Sequence, residues 1–137
     1  MNELIKFSAR KVFNLLRLQE ITPYDLLNAA LARIKETNPS INSIPTLCID
    51  RAENQINNMK STYSAKSNDP IGFLYGIPLV IKDLTDVKGV RTTMGSKIFA
   101  NRIPKKSAEI VKTIEKNYGV ILGKSNTPEF GAGANTF

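Results

Sequence analysis

Residues 76–96 read GIPLVIKDLTDVKGVRTTMGS. A short apolar run, Leu79-Val80-Ile81, leads straight into a lysine, Lys82, and an acid, Asp83, and a cluster of hydroxyls follows in Thr92, Thr93 and Ser96 around Gly95. A lysine at a strand end can lay its stem on apolar surface and send its ammonium to water. It can also be desolvated at the carboxyl end of a parallel strand, where α/β sites tend to lie. Burial disfavours the charged form, so such an amine could act as a base. A carboxylate of Asp83 in contact would oppose that, although strand alternation points neighbouring side chains to opposite faces. Ser96 with Lys82 would make a minimal nucleophile and base. The plainer role for Ser96, Thr92 and Thr93 is to bond the backbone of a turn.

The rest of the composition narrows the chemistry. Among the 137 residues there is no histidine and one cysteine, Cys48. A Ser-His-Asp or Cys-His arrangement cannot be assembled from them, and a zinc site is not expected from one cysteine and no imidazole. Proton transfer near neutral pH falls to Lys, Asp, Glu or Tyr with shifted pKa values. Cys48 has no partner for an internal disulfide, in keeping with a reducing compartment. No apolar run approaches the length of a membrane span, and residues 1–20 lack a signal-peptide core, so a cytoplasmic location and no membrane partner are expected. The net charge is +7. Its lysines and arginines are scattered, the densest group being Arg102, Lys105 and Lys106, without interleaved aromatics. That pattern reads as a solvated basic surface rather than a nucleic-acid site.

These residues need elements to hold them. Ser8 is placed to cap a helix to about Leu18, with Val12, Leu15 and Leu16 on one face. Thr22, Pro23 and Asp25 form a capping-box start for a second helix. Its stripe is Leu26, Leu27, Ala30, Leu31 and Ile34, and Asn38-Pro39 is expected to stop it. A third helix is expected from Asp50, with Ala52, Ile56, Met59 and Tyr63 at helical spacing, then a loop over 64–70. From residue 71 the pattern turns α/β: a strand over 79–83, irregular chain over 84–106, a helix over 107–117 capped by Ser107, and a strand at Val120-Ile121-Leu122. Strand, helix, strand predicts two parallel strands. Ile110, Val111 and Ile114 should face inward. With one covering helix in that unit, the sheet looks unfinished and its edge or apolar face open to a partner.

Two further segments invite a ligand. GVILGKS, 119–125, falls short of a phosphate loop, because only three residues separate Gly119 from Gly123 and Tyr118 stands where a glycine is needed. PEFGAGANTF, 128–137, has small residues that let backbone approach a ligand or another strand, and equally reads as a plain loop.

Together the blocks Gly76-Ile77-Pro78-Leu79-Val80-Ile81-Lys82-Asp83, Gly89-Val90-Arg91-Thr92-Thr93-Met94-Gly95-Ser96 and Gly123-Lys124-Ser125-Asn126-Thr127-Pro128-Glu129-Phe130 resemble the amidase signature family. These are serine amidohydrolases with a Ser-cis-Ser-Lys triad. The Thr22-Pro23 helix, Asn38-Pro39 and Ile41-Asn42 also resemble the family's N-terminal helical region. One departure is Tyr118-Gly119, where the family commonly has Gly-Ala before the strand.

The resemblance implies a partial amidase domain over 1–137, with a helical region at 1–70 and the start of the α/β core at 71–137. Its fold class would be α/β, the first part of a mixed, largely parallel sheet covered by helices. Lys82 matches the triad lysine, Ser96 matches a position outside the triad, and Phe130, Gly131, Ala132 and Gly133 match a wall near the substrate pocket. Both family serines and the oxyanion donors lie in a Gly- and Ser-rich signature that follows the matching region and is absent from these residues. The implied parent activity is hydrolysis of a small-molecule carboxamide to a carboxylate and ammonia or amine, without cofactor. The chain would then hold the base but not the nucleophile, and would be inactive alone. The alternatives are the amidase component of a tRNA-dependent amidotransferase, which the ending NTPEFGAGANTF resembles less than it does a general amidase, and a non-enzymatic interaction module.

Overall fold

The computed structural model describes residues 3–60 and 73–136. Four α-helices and a three-stranded sheet are described: α1 (Ala9–Arg17), α2 (Pro23–Ile41), β1 (Thr46–Leu47), α3 (Ile49–Lys60), β2 (Pro78–Lys82), α4 (Glu109–Lys116) and β3 (Val120–Ser125). The order in the sheet is β1-β3-β2, with β2 parallel and β1 antiparallel to β3. The architecture is therefore mixed α/β, as expected. β1 had no signal in the sequence, being only two residues long. No helix among the described residues is long and apolar enough to cross a membrane.

The helix starts follow the local chemistry. Ser8 Oγ accepts the Lys11 N–H at α1. At α2, Thr22 and Asp25 bond reciprocally, with the Thr22 N–H on Asp25 Oδ2 at 2.8 Å. These bonds satisfy N–H groups that a helix start leaves orphaned, and they hold the Asp25 carboxyl below the usual carboxylate range.

Three details depart from the sequence reading. Asn38-Pro39 does not stop α2, which continues to Ile41 with Pro39 inside its last turn. Pro39 forfeits one bond, while Asn42, left-handed at φ 45°, returns its N–H to the Asn38 carbonyl. The Asn38 side chain also clasps Ile44, donating to its carbonyl and accepting its N–H. Ser107 does not cap α4: the helix starts after Ala108, and Ser107 Oγ accepts the Lys88 N–H. Ile110 is exposed, so Val111 and Ile114 alone carry the inner face. Tyr63 and the expected 64–70 loop lie outside the described residues.

Both faces of β3 are covered. Val120 and Leu122 pack with Leu27 of α2 and Ala52, Ile56 and Met59 of α3. Ile121 packs on the other side with Ile81 of β2, Val111 of α4, and Val87 and Val90 of the intervening loop. Full burial of each Val, Leu, Ile or Met among these contributes about 1.5–3 kcal/mol. α1 closes one end, with Val12 and Leu16 against Leu26 of α2. β2 is an outer strand, and its Val80 is exposed.

Tyr118 is accommodated rather than disruptive. It takes a left-handed conformation at φ 62° just after α4, where its N–H returns to the Glu115 carbonyl and that of Gly119 to Ile114. Its ring meets Phe73 edge-on at 5.2 Å. At Gly119 a Cβ would sit 2.7 Å from Ile114 Cγ2, so a larger residue there would require neighbouring side chains to shift.

Candidate active site

Along β2 and β3 the Cα partners are Leu79 with Ile121, Val80 with Gly123, Ile81 with Lys124 and Lys82 with Ser125. One residue of β3 is skipped between the first two pairs, a β-bulge. Such a bulge reverses the side-chain alternation beyond it. Lys124, which would otherwise share a face with Val120 and Leu122, therefore joins the face of Leu79 and Ile81. Lys82 lies on the opposite face.

Lys82 is the last residue of β2 and its side chain is exposed. Its carbonyl accepts the Thr85 N–H at 2.9 Å, which turns the chain out of the sheet. The lysine is thus at the carboxyl end of a parallel strand, as the spacing predicted. It faces open surface in this chain rather than a desolvated cleft.

The buried lysine is Lys124, fully enclosed at 0% exposure. Its ammonium donates to the Thr85 carbonyl at 2.7 Å and to Thr92 Oγ1 at 2.8 Å, and lies 3.4 Å from Asp83 Oδ1. Burial pushes its pKa below the ordinary lysine range, and the Asp83 carboxylate pulls it back up. Asp83, also buried, extends the ladder by donating its N–H to the Ser125 carbonyl. Its carboxylate accepts from both the N–H and the hydroxyl of Thr93. The Met94 N–H binds the Asp83 carbonyl at 2.9 Å.

The hydroxyl cluster accordingly does more than bond backbone: Thr92 receives Lys124 and Thr93 serves Asp83. Ser96, also buried, donates to Glu129 Oε1 at 2.6 Å and accepts the Ile98 N–H. No hydrogen bond joins Ser96 to Lys82 among the described residues. The loop after β2 is fastened by a two-pronged ion pair, Arg102 to Asp86, with both contacts at 2.6 Å. The guanidinium holds the Asp86 carboxyl below its usual range.

The segment expected to wall a pocket is tied to the same place. The Phe130 N–H donates to the Met94 carbonyl at 2.7 Å. Phe130 is exposed, left-handed at φ 51°, and edge-on to Phe99 at 6.1 Å. A Cβ on Gly131 would come within 2.6 Å of Leu84, two residues past Lys82. Ala132 and Gly133 are exposed. Backbone bonds through Met94 thus bring Phe130–Gly133 and the end of β2 together.

The GKS triplet lies within β3 rather than leading into a helix as a phosphate loop does. A Cβ on Gly123 would meet the Thr46 carbonyl at 2.6 Å, so the glycine lets β1 approach. Sequence reasoning passed over Lys124 inside that triplet. The available signal was a second lysine close to the end of a second parallel strand.

This fold recurs in solved enzymes. A structure described as revealing the evolutionary origins of an s-triazine catabolic enzyme superposes with a TM-score of 0.81 at 25% identity, covering 90% of this chain and 27% of that one. A bacterial aryl acylamidase of the amidase signature family shares the fold with a TM-score of 0.77 at 20% identity, over 90% of this chain and 26% of that one. A family model described as Amidase matches residues 25–137, and the chain belongs to that family. Among its relatives, the A component of the glutamyl-tRNA(Gln) amidotransferase of Halothermothrix orenii (strain H 168 / OCM 544 / DSM 9562) is 34% identical over 134 residues, 98% of this chain and 26% of that protein. The corresponding component from Dehalococcoides mccartyi (strain CBDB1) is 34% identical over 136 residues, 99% of this chain and 27% of that protein. The chain spans about a quarter of the length of these curated relatives.

Proposed function

We propose that this chain supplies the lysine of an amide-hydrolysing site, with Lys82 as the general base. The observation that carries the reading is the place of Lys82 at the carboxyl end of a parallel strand, in the block that resembles the family's lysine motif. Phe130–Gly133 is tied beside it as a pocket wall. In the reaction, neutral Lys82 takes a proton relayed through a bridging serine from a nucleophilic serine. The serine oxygen attacks the carboxamide carbon, the C–N bond breaks, and the nitrogen leaves protonated as ammonia or amine. Water then cleaves the acyl-serine to the carboxylate. Serine is a weak nucleophile until a base is supplied, and lysine serves only when unprotonated. Both serines belong to a Gly- and Ser-rich segment outside these 137 residues.

The test uses a polypeptide carrying this chain together with that segment. Lys82→Met is expected to lower amide turnover by about 10²–10⁴-fold, the usual worth of a positioned base, with the fold intact by circular dichroism. Turnover within tenfold of the parent would remove Lys82 from the mechanism. The 137-residue chain alone should take up no serine-directed acylating probe.

A second reading, amide hydrolysis within an amidotransferase, is favoured by the curated relatives, which are amidotransferase components with 34% identity. Dependence of ammonia release on glutamyl-tRNA would select it. Release from simple carboxamides without any tRNA would select the free hydrolase.

A further inference from the structure

Lys82 and Asp83 are adjacent in sequence, and a carboxylate beside a lysine normally holds the proton on it. A base at Lys82 therefore requires that Asp83 be engaged elsewhere. The structure shows where: the carboxylate lies on the other sheet face, buried, bonded to Thr93 and 3.4 Å from the enclosed Lys124 ammonium. The β3 bulge places Lys124 there. Other charges nearby are engaged or exposed. On the loop side Asp86 is forked by Arg102, Glu129 accepts from Ser96, and Glu115 of α4 pairs with Arg51. On the Lys82 side, α2 and α3 carry Arg33, Lys35, Glu36, Asp50 and Glu53 outside the core.

We propose that Lys124 is a positioning residue for Lys82: as the buried counter-ion of Asp83, it keeps that carboxylate from retaining the proton of the base on the opposite face. This rests on the reading of Lys82 as the base. It extends that reading by giving the buried pair a task in the reaction besides holding the fold.

The test measures amine reactivity and needs no turnover, so it remains readable if the amide-hydrolysis reading fails. The full 137-residue chain is labelled competitively with acetic anhydride at about pH 8, where the acetylation rate of a lysine is proportional to its small unprotonated fraction. Mass spectrometry then gives the acetylation rate of Lys82 relative to exposed Lys116. In Lys124→Met the freed carboxylate should slow Lys82 about three- to tenfold, as expected for a nearby charge in a partly screened setting. In Asp83→Asn, Lys82 should react about threefold faster than in the parent. In the double variant D83N/K124M it should return to within about twofold of the parent.

Both single variants disturb a buried pair, so a purely structural role would shift Lys82 in the same direction in each. Opposite shifts support the proposal. Shifts in one direction, or none beyond twofold, overturn it. Should K124M fail to fold, D83N and the double variant decide, since neutral pairs often replace buried ion pairs without loss. A D83N rate no higher than the parent, or a double variant displaced by more than twofold, overturns the proposal.

Discussion

Two lysines lie at the carboxyl ends of two adjacent parallel strands, and they live in opposite surroundings. Lys82 on β2 is exposed, whereas Lys124 on β3 is completely enclosed, although their strand partners, Ser125 and Ile81, are neighbours in the ladder. A single skipped residue in β3 separates the two fates, since it turns Lys124 towards the acid and the threonines. A lysine at a strand end thus has no role by position alone. On the proposed reading, one is free to meet a substrate because the other neutralises the intervening acid.

That contrast is easiest to break through stability. Lys124→Met should lower the unfolding free energy by about 3–5 kcal/mol, because it leaves the Asp83 carboxylate buried without its cation. Lys82→Met should change it by no more than about 0.5 kcal/mol, as is usual at exposed positions. Equal losses in urea unfolding would erase the distinction. A finer probe is Thr92→Val, which keeps the shape but removes the hydroxyl that receives the Lys124 ammonium. It should cost about 1.5–3 kcal/mol, the range for a hydrogen bond to a charged group. A change below ~0.3 kcal/mol, well under that range, would show that the Thr85 carbonyl and Asp83 suffice.

The smallest effect concerns pH. Arg102 lowers the folded-state pKa of Asp86. The pair's contribution is therefore present above the ordinary carboxylate pKa of about 3.9 and is lost as pH falls through the lower folded value. Both side chains are partly exposed, about 30%, so the contribution at neutral pH should be under ~1 kcal/mol. Asp86→Asn should flatten the fall in urea midpoint as pH drops from about 5 through the ordinary carboxylate value and below it. An unchanged profile would mean that the fork carries no linkage.

Much of the fold was legible locally. The capping box at Thr22 and the parallel pairing of β2 and β3 follow from short-range chemistry and from the strand–helix–strand pattern. The end of α2 was not legible, because Asn42 and the Asn38 side chain compensate for Pro39 through groups that act only once folded. Ile110 misled for a related reason: helical spacing marks an apolar stripe but not its width. At the site, the position of Lys82 was readable, while the importance of Lys124 was hidden inside a triplet that resembled something else.

The sequence by itself determined the lysine-acid step at the end of β2 through hydrophobic patterning. Only the tertiary structure decided which lysine is enclosed and which carbonyl, hydroxyl and carboxylate receive it. The physical reason is register. Side-chain direction in a sheet has a period of two, so a one-residue bulge exchanges the faces. Pairing between residues as distant in the chain as Ile81 and Lys124 is set by the packed whole.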